Sequence, residues 1–184
     1  LAGSGDDGVS AGRERGPVIV AVDTSGSMQG PREHLAKALV IAVGRQVVPR
    51  GRTLHLLLFG GPGERLETRI SGTSRSVDGL LDLLMMHFGG GTDFDVPLAR
   101  AVELVEERSL RNADVLVITD GYGEAGQAVL EALAEARQQK GLRVFGVVMS
   151  THPGGVAAFA DETWLVTPET NGNTAELFSK LRRC

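Results

Sequence analysis

Asp23-Thr24-Ser25-Gly26-Ser27 places a carboxylate and two alternating hydroxyls within five residues. These are hard oxygen donors, the ligand type that suits Mg²⁺, Mn²⁺ or Ca²⁺. Two further clusters set oxygen-bearing side chains beside glycine: Gly89-Gly90-Gly91-Thr92-Asp93 and Thr119-Asp120-Gly121. The hydroxyls of Ser25, Ser27 and Thr92 can bind a divalent cation directly, and Asp23 and Asp120 would supply negative charge. Mg²⁺ demands near-octahedral oxygen geometry and commonly keeps several waters. Neutral hydroxyls and waters would leave such an ion electron-poor and open to a carboxylate from another molecule. Taken singly, each piece has an ordinary reading, because Asp, Ser, Thr and Gly populate turns and helix caps. Asp93 in particular reads as a cap or as a neighbour of the ligands. The joint occurrence of the three clusters, two of them directly after strands, favours a metal site.

The elements that must position these residues are legible from hydrophobic pattern. Val18–Val22 is short, continuous and β-branched, the signature of a strand buried on both faces. Asp23 follows where that strand ends, and in open parallel sheets ligands bind outside the carboxyl ends of the strands. Further strands are expected over Thr53–Phe59, Ala113–Thr119, Leu142–Met149 and Glu162–Val166. Arg65–Ile70 alternates more strongly and follows Gly60-Gly61-Pro62-Gly63, so it reads as an antiparallel edge strand. Helical patterns lie between them. Pro31 suits a helix start and Arg32–Val48 continues it. Ser76–His87 is rich in Leu and Met, with Met85-Met86 expected in the core. Leu98, Ala101, Val102 and Val105 share one face. Val129, Ala132, Leu133 and Ala136 repeat that spacing within Glu124–Lys140, where Gly141 offers a stop. Asn173–Arg182 closes the chain as a helix.

Strands alternating with helices imply an α/β fold: a Rossmann-like open, mostly parallel sheet of about six strands, with helices on both faces. If the first and fourth strands in sequence are neighbours, Asp23 and Asp120 stand side by side at the sheet crevice. Residues 1–16 hold five glycines and five charged residues with little to bury, and read as a flexible leader or linker. Residues 17–184 then form the single domain.

The combination D-T-S-G-S after a buried strand, then G-G-T-D, then T-D-G after another strand, resembles the von Willebrand factor A (VWA) domain. In that family these positions form the metal-ion-dependent adhesion site (MIDAS). The resemblance implies that Ser25, Ser27 and Thr92 coordinate directly, while Asp23 and Asp120 act mainly through bound waters. It implies Mg²⁺ as the ion, with Mn²⁺ and Ca²⁺ as alternatives. Within the family, the run from Arg15 to Val20 leading into DTSGSM is similar to bacterial ViaA-like and CoxE-like domains. So are Leu56–Phe59, Phe88–Asp93, Val117–Gly121 and Gly146–Ser150. That likeness implies partnership with a MoxR-type AAA+ ATPase, and a helical region ahead of the domain in a longer protein. The chain begins at Leu1 rather than Met, as a fragment or processed product would.

Composition narrows the function classes. Hydrophobic residues make up 42% and the formal net charge is −4, ordinary for a globular protein. The acidic balance and scattered Lys and Arg argue against nucleic-acid binding, and 4% aromatic residues are too few for a base-stacking platform. No apolar run reaches the roughly 18 residues of a membrane span. One cysteine, Cys184, and no recognisable secretory signal point to a reducing, cytoplasmic setting. His34, His55, His87 and His152 lack ligand spacing. No G-x-S-x-G elbow or phosphate-binding G-x-x-x-x-G-K-[ST] loop is present. An aspartyl-phosphate phosphatase would place an acid where Ser25 stands. The expectation is therefore a non-enzymatic protein-interaction domain that binds a partner's Glu or Asp through the metal. Its rivals are a metal-assisted phosphoester hydrolase and an extracellular adhesion-type domain.

Overall fold

The computed structural model describes residues 16–72, 85–106 and 110–167, and within them the apolar runs pair into one sheet. The strands are β1 (Val18–Asp23), β2 (Leu54–Phe59), β3 (Arg65–Ile70), β4 (Asp114–Thr119), β5 (Arg143–Val148) and β6 (Glu162–Leu165). They lie in the order β3-β2-β1-β4-β5-β6. Every neighbouring pair is parallel except β2 and β3, which are antiparallel. Thus β3 is the antiparallel edge strand that its alternation suggests. Arg65, Glu67 and Arg69 are exposed along it, and charges on an edge discourage pairing with another chain.

The order places β1 and β4 side by side at the centre. Val22 is in register with Ile118, and Asp23 with Phe59 of β2. The carboxyl ends of β1, β2 and β4 therefore open at one level. Strand order reverses there, with β2 and β4 on opposite sides of β1, which is the crevice where such sheets bind ligands.

Successive residues of β1 feed two different cores, as a period of two requires. Val18, Val20 and Val22 pack with Ala36, Leu39, Val40, Val43 and Val47 of helix α1 (Pro31–Val47). Ile19 and Ala21 face helix α2 (Asp95–Glu106) and helix α3 (Gln127–Lys140). Leu98, Ala101, Leu104 and Val105 of α2 join Val129, Leu133 and Ala136 of α3 on that side. Helices thus cover both faces. Each fully buried Leu or Ile side chain contributes about 1.5–3 kcal/mol relative to exposure. Packing on this scale outweighs the tenths of a kcal/mol set by intrinsic helix propensity.

At the opposite end of the sheet, Asp114 at the start of β4 is buried between two arginines. Arg52 Nη2 lies 2.8 Å from its Oδ2, and Arg143 Nε lies 2.8 Å from its Oδ1. Arg52 also donates to the Gly16 carbonyl at 2.6 Å. This buried cluster ties the entry of β1 to β4 and β5.

Two expectations need correction. Helix α3 begins at Gln127 rather than Glu124, because Gly126 is extended (φ −70°, ψ 151°) and ends the preceding loop. Met85 and Met86 are not in the core: they are 74% and 50% exposed. They belong to the segment leading into the Gly89–Thr92 loop, which runs along the surface at the sheet's rim. Met85, Met86 and His87 are not helical, and the rest of the helix expected over Ser76–His87 lies outside the described residues. So do residues 1–15, the helix expected over Asn173–Arg182, and Cys184. Among the described residues, no helix is long and apolar enough to cross a membrane.

Candidate metal centre

Three loops bring the oxygen-bearing clusters together, and backbone hydrogen bonds set their spacing. The first leaves β1 at Asp23. The N–H and hydroxyl of Thr24 both donate to the Phe59 carbonyl, at 2.9 and 3.0 Å. That double tether fastens the loop to β2, and a 3-10 turn over Gly26–Met28 then leads towards α1. The second loop, Gly89–Asp93, lies against the first. Gly26 N–H donates to Gly90 O at 3.1 Å, and Gly89 N–H donates to Thr24 O at 3.1 Å. Asp93 N–H reaches Gly60 O at 2.8 Å, and the Asp93 carboxylate caps α2 by accepting from Asp95 N–H at 2.9 Å. Phe94 is fully buried and packs edge-on to Phe159 at 5.2 Å, which anchors the loop from below.

The third loop leaves β4 at Thr119. Gly121 turns it with φ +89°, a left-handed conformation that only glycine adopts without strain. Gly155 N–H donates to Gly121 O at 3.0 Å. A Cβ at Gly155 would lie 2.0 Å from Gly123 O. The loop that follows β5 therefore backs the Asp120 loop by direct backbone contact.

At the meeting point stands Asp23, buried at 2% exposure. Its Oδ2 accepts from the Thr119 hydroxyl at 2.6 Å and from the Thr92 hydroxyl at 3.2 Å. Its Oδ1 accepts from Ser25 N–H at 2.9 Å. Ser25 Oγ and Ser27 Oγ are 3.2 Å apart. Asp120 stands close enough to act on Asp23 through charge. Its Oδ1 accepts from Tyr122 N–H at 3.2 Å, while its Oδ2 has no hydrogen-bond partner among the described residues. The Asp120 side chain is fully buried, and among the described residues the cationic group beside it is Arg32 Nη1, 3.8 Å from Oδ2. Ser25 is buried, Ser27 exposed and Thr92 half-buried, so the cluster opens to solvent on the side of Ser27 and Thr92.

Burial pushes the Asp23 carboxyl above the ordinary carboxylate range. The Thr119 hydroxyl and the Ser25 N–H pull it back in part, and the charge of Asp120 pushes it up again. Two buried carboxylates side by side are costly unless a positive charge compensates them. The donor set fits a hard divalent cation on two counts. It consists of carboxylate and hydroxyl oxygens alone, and one buried carboxylate oxygen lacks a hydrogen bond, which burial makes expensive. Among the described residues, no group of three or more His, Cys, Asp or Glu is placed to hold a metal ion.

All five residues singled out by sequence, Asp23, Ser25, Ser27, Thr92 and Asp120, thus stand on the three converging loops. Thr119 and Arg32 join them. Thr119 lies inside the T-D-G motif, but its role depends on β4 lying beside β1. Arg32 carries no sequence signal of its own. It enters because α1 starts at Pro31 and aims its first turn at the site.

A model of the VWA domain containing CoxE-like proteins matches residues 7–168. The chain belongs to this VWA family. Among curated proteins, this VWA domain is 32% identical over 142 residues to the uncharacterized protein MJ0811 of Methanocaldococcus jannaschii, covering 77% of the chain and 32% of that protein. It is 29% identical over 161 residues to MJ0077 of the same organism, covering 88% of the chain and 40% of that protein. The VWA domain therefore spans less than half the length of these relatives. Solved structures share the fold. BatB from Bacteroides thetaiotaomicron aligns with a TM-score of 0.64 at 19% identity, over 92% of this chain and 100% of that one. The SpRpn10 VWA domain aligns with a TM-score of 0.65 at 14% identity, over 91% and 94%. At these identities the likeness speaks to the fold alone.

Proposed function

We propose that this VWA domain is a metal-dependent protein-interaction module. Asp23, Ser25, Ser27, Thr92 and Asp120 would hold Mg²⁺, or Mn²⁺ or Ca²⁺ in its place, as in a metal-ion-dependent adhesion site. Bound there, the ion would act as a Lewis acid for a carboxylate supplied by the partner. The observation that carries this reading is the buried Asp23–Asp120 pair, with one Asp120 oxygen unbonded, beside the Ser27 and Thr92 hydroxyls on the solvent side. The protein's own part is to hold those oxygens in place and keep the carboxylates dry.

The surroundings support a protein partner. Tyr122, two residues after Asp120, is 68% exposed, and Met85 and Met86 are exposed on the segment leading to Thr92. Large apolar side chains on and beside two of the three loops that carry the site would give a partner a surface around its acidic residue. The ViaA-like and CoxE-like segments make a MoxR-type AAA+ ATPase the partner we favour, with the domain acting as its adaptor. Membership of the CoxE-like family is consistent with that choice.

Capture of a purified MoxR-type ATPase on the immobilised chain tests the reading. Capture is expected with Mg²⁺, to be lost in EDTA, and to fall at least about tenfold for Thr92→Ala while its melting temperature changes little. Equal recovery with and without EDTA would refute the metal bridge. A parallel panel of phosphoesters with Mg²⁺ or Mn²⁺ should show no turnover. Turnover abolished by Asp23→Ala would instead establish a hydrolase.

A further inference from the structure

Arg32 occupies a position that helix formation alone does not explain. It is the second residue of α1, directly after Pro31, where a positive charge opposes the helix dipole. Its guanidinium nevertheless reaches over the site. Nη1 donates to the Ser27 carbonyl at 3.1 Å and lies 3.8 Å from Asp120 Oδ2. One cationic group thus spans the loop carrying Ser25 and Ser27 and the loop carrying Asp120. At 3.8 Å it offsets charge without making a hydrogen bond, so the Asp120 oxygen is compensated but still unbonded. Asp120 is fully buried, whereas the Arg32 side chain is 39% exposed and has room to move away.

From this geometry we propose that Arg32 is the built-in counter-charge of Asp120 and sets how tightly the site holds a divalent cation. The inference rests on the metal site proposed above. Without a divalent ion, the guanidinium makes two adjacent buried carboxylates tolerable and keeps the loops together. An incoming cation drawn to the same carboxylates meets this positive charge and must share Asp120 with it or displace it. Arg32 therefore stabilises the metal-free domain and weakens cation affinity, which keeps metal occupancy responsive to ion concentration. It is a positioning residue that acts through Asp120.

Calorimetric titration of the full chain with Mg²⁺ alone and with Mn²⁺ alone tests this, for wild type, Arg32→Gln and Arg32→Lys. Thermal unfolding in EDTA and in excess Mg²⁺ accompanies it. Arg32→Gln should bind both ions about tenfold more tightly, a typical size for coupling between adjacent charged groups. It should melt below wild type in EDTA and gain more from Mg²⁺. Arg32→Lys, which retains the charge, should stay closer to wild type in both measurements. Wild-type binding with unchanged or weaker affinity in Arg32→Gln would overturn the role of Arg32 and leave the metal site standing. Failure of all three proteins to bind either ion would overturn the metal site, and this inference with it.

Discussion

Asp23 is the residue on which the site turns, since the Thr119 and Thr92 hydroxyls and the Ser25 N–H all point at it. Its carboxyl is held above the ordinary range chiefly by burial. The folded state therefore keeps the proton to higher pH than the unfolded chain does. In metal-free protein, this favours folding fully below the unfolded carboxylate value of about 4, and the advantage is lost as pH rises through the folded value. Urea unfolding in EDTA, compared between wild type and Asp23→Asn, should show wild type losing stability relative to the variant as pH rises through that window. A relative gain over the same window would contradict the burial argument. With Mg²⁺ present, the ion and the proton compete for the same oxygens, so affinity should fall as pH is lowered.

At the scale of elements, the sheet order does most of the positioning. Placing β1 between β2 and β4 brings together Asp23 and Thr119, residues 96 apart in sequence. Much of this was legible beforehand. The β-branched runs, the charged edge strand and the oxygen clusters at strand ends all carry short-range signals that a reader can extract. The unread parts depend on long-range meetings. Arg52 and Asp114 are 62 residues apart and neither sits in a motif, yet they form a buried pair. Met85 and Met86 look like core because they are apolar beside leucines; their exposure is set by where the surface segment before Gly89 runs. Helix α3 starts late because Asp95 Oδ1, from α2, accepts the Gly126 N–H at 2.6 Å, and no local pattern foretells that bond. The Asp114 cluster yields a prediction at this scale. Asp114→Ala would leave Arg52 buried and unpaired, so it should cost about 3–5 kcal/mol in chemical denaturation. Mg²⁺ affinity of the folded fraction should be unchanged, because the cluster lies at the other end of the sheet. A loss under 1 kcal/mol, on the order of a surface ion pair, would show that the buried pair is dispensable.

For the whole molecule, the fold supplies a rigid floor and three loops supply the chemistry. Parallel strands buried on both faces resist deformation, so the carboxylates at their ends are held apart from bulk water. The Ser27 and Thr92 hydroxyls stay on the solvent side. In the proposed reading a cation would be gripped from below and left open above, with Tyr122, Met85 and Met86 exposed nearby in the chain. The domain spans less than half the length of its curated relatives. The central claim is that five side chains from three loops hold one hard cation. Crystals grown with saturating Mn²⁺ test it most directly through an anomalous difference map. A single strong peak among the oxygens of Asp23, Ser25, Ser27, Thr92 and Asp120 is the predicted result. A map with no peak there, or with Mn²⁺ held only by other residues, would contradict it.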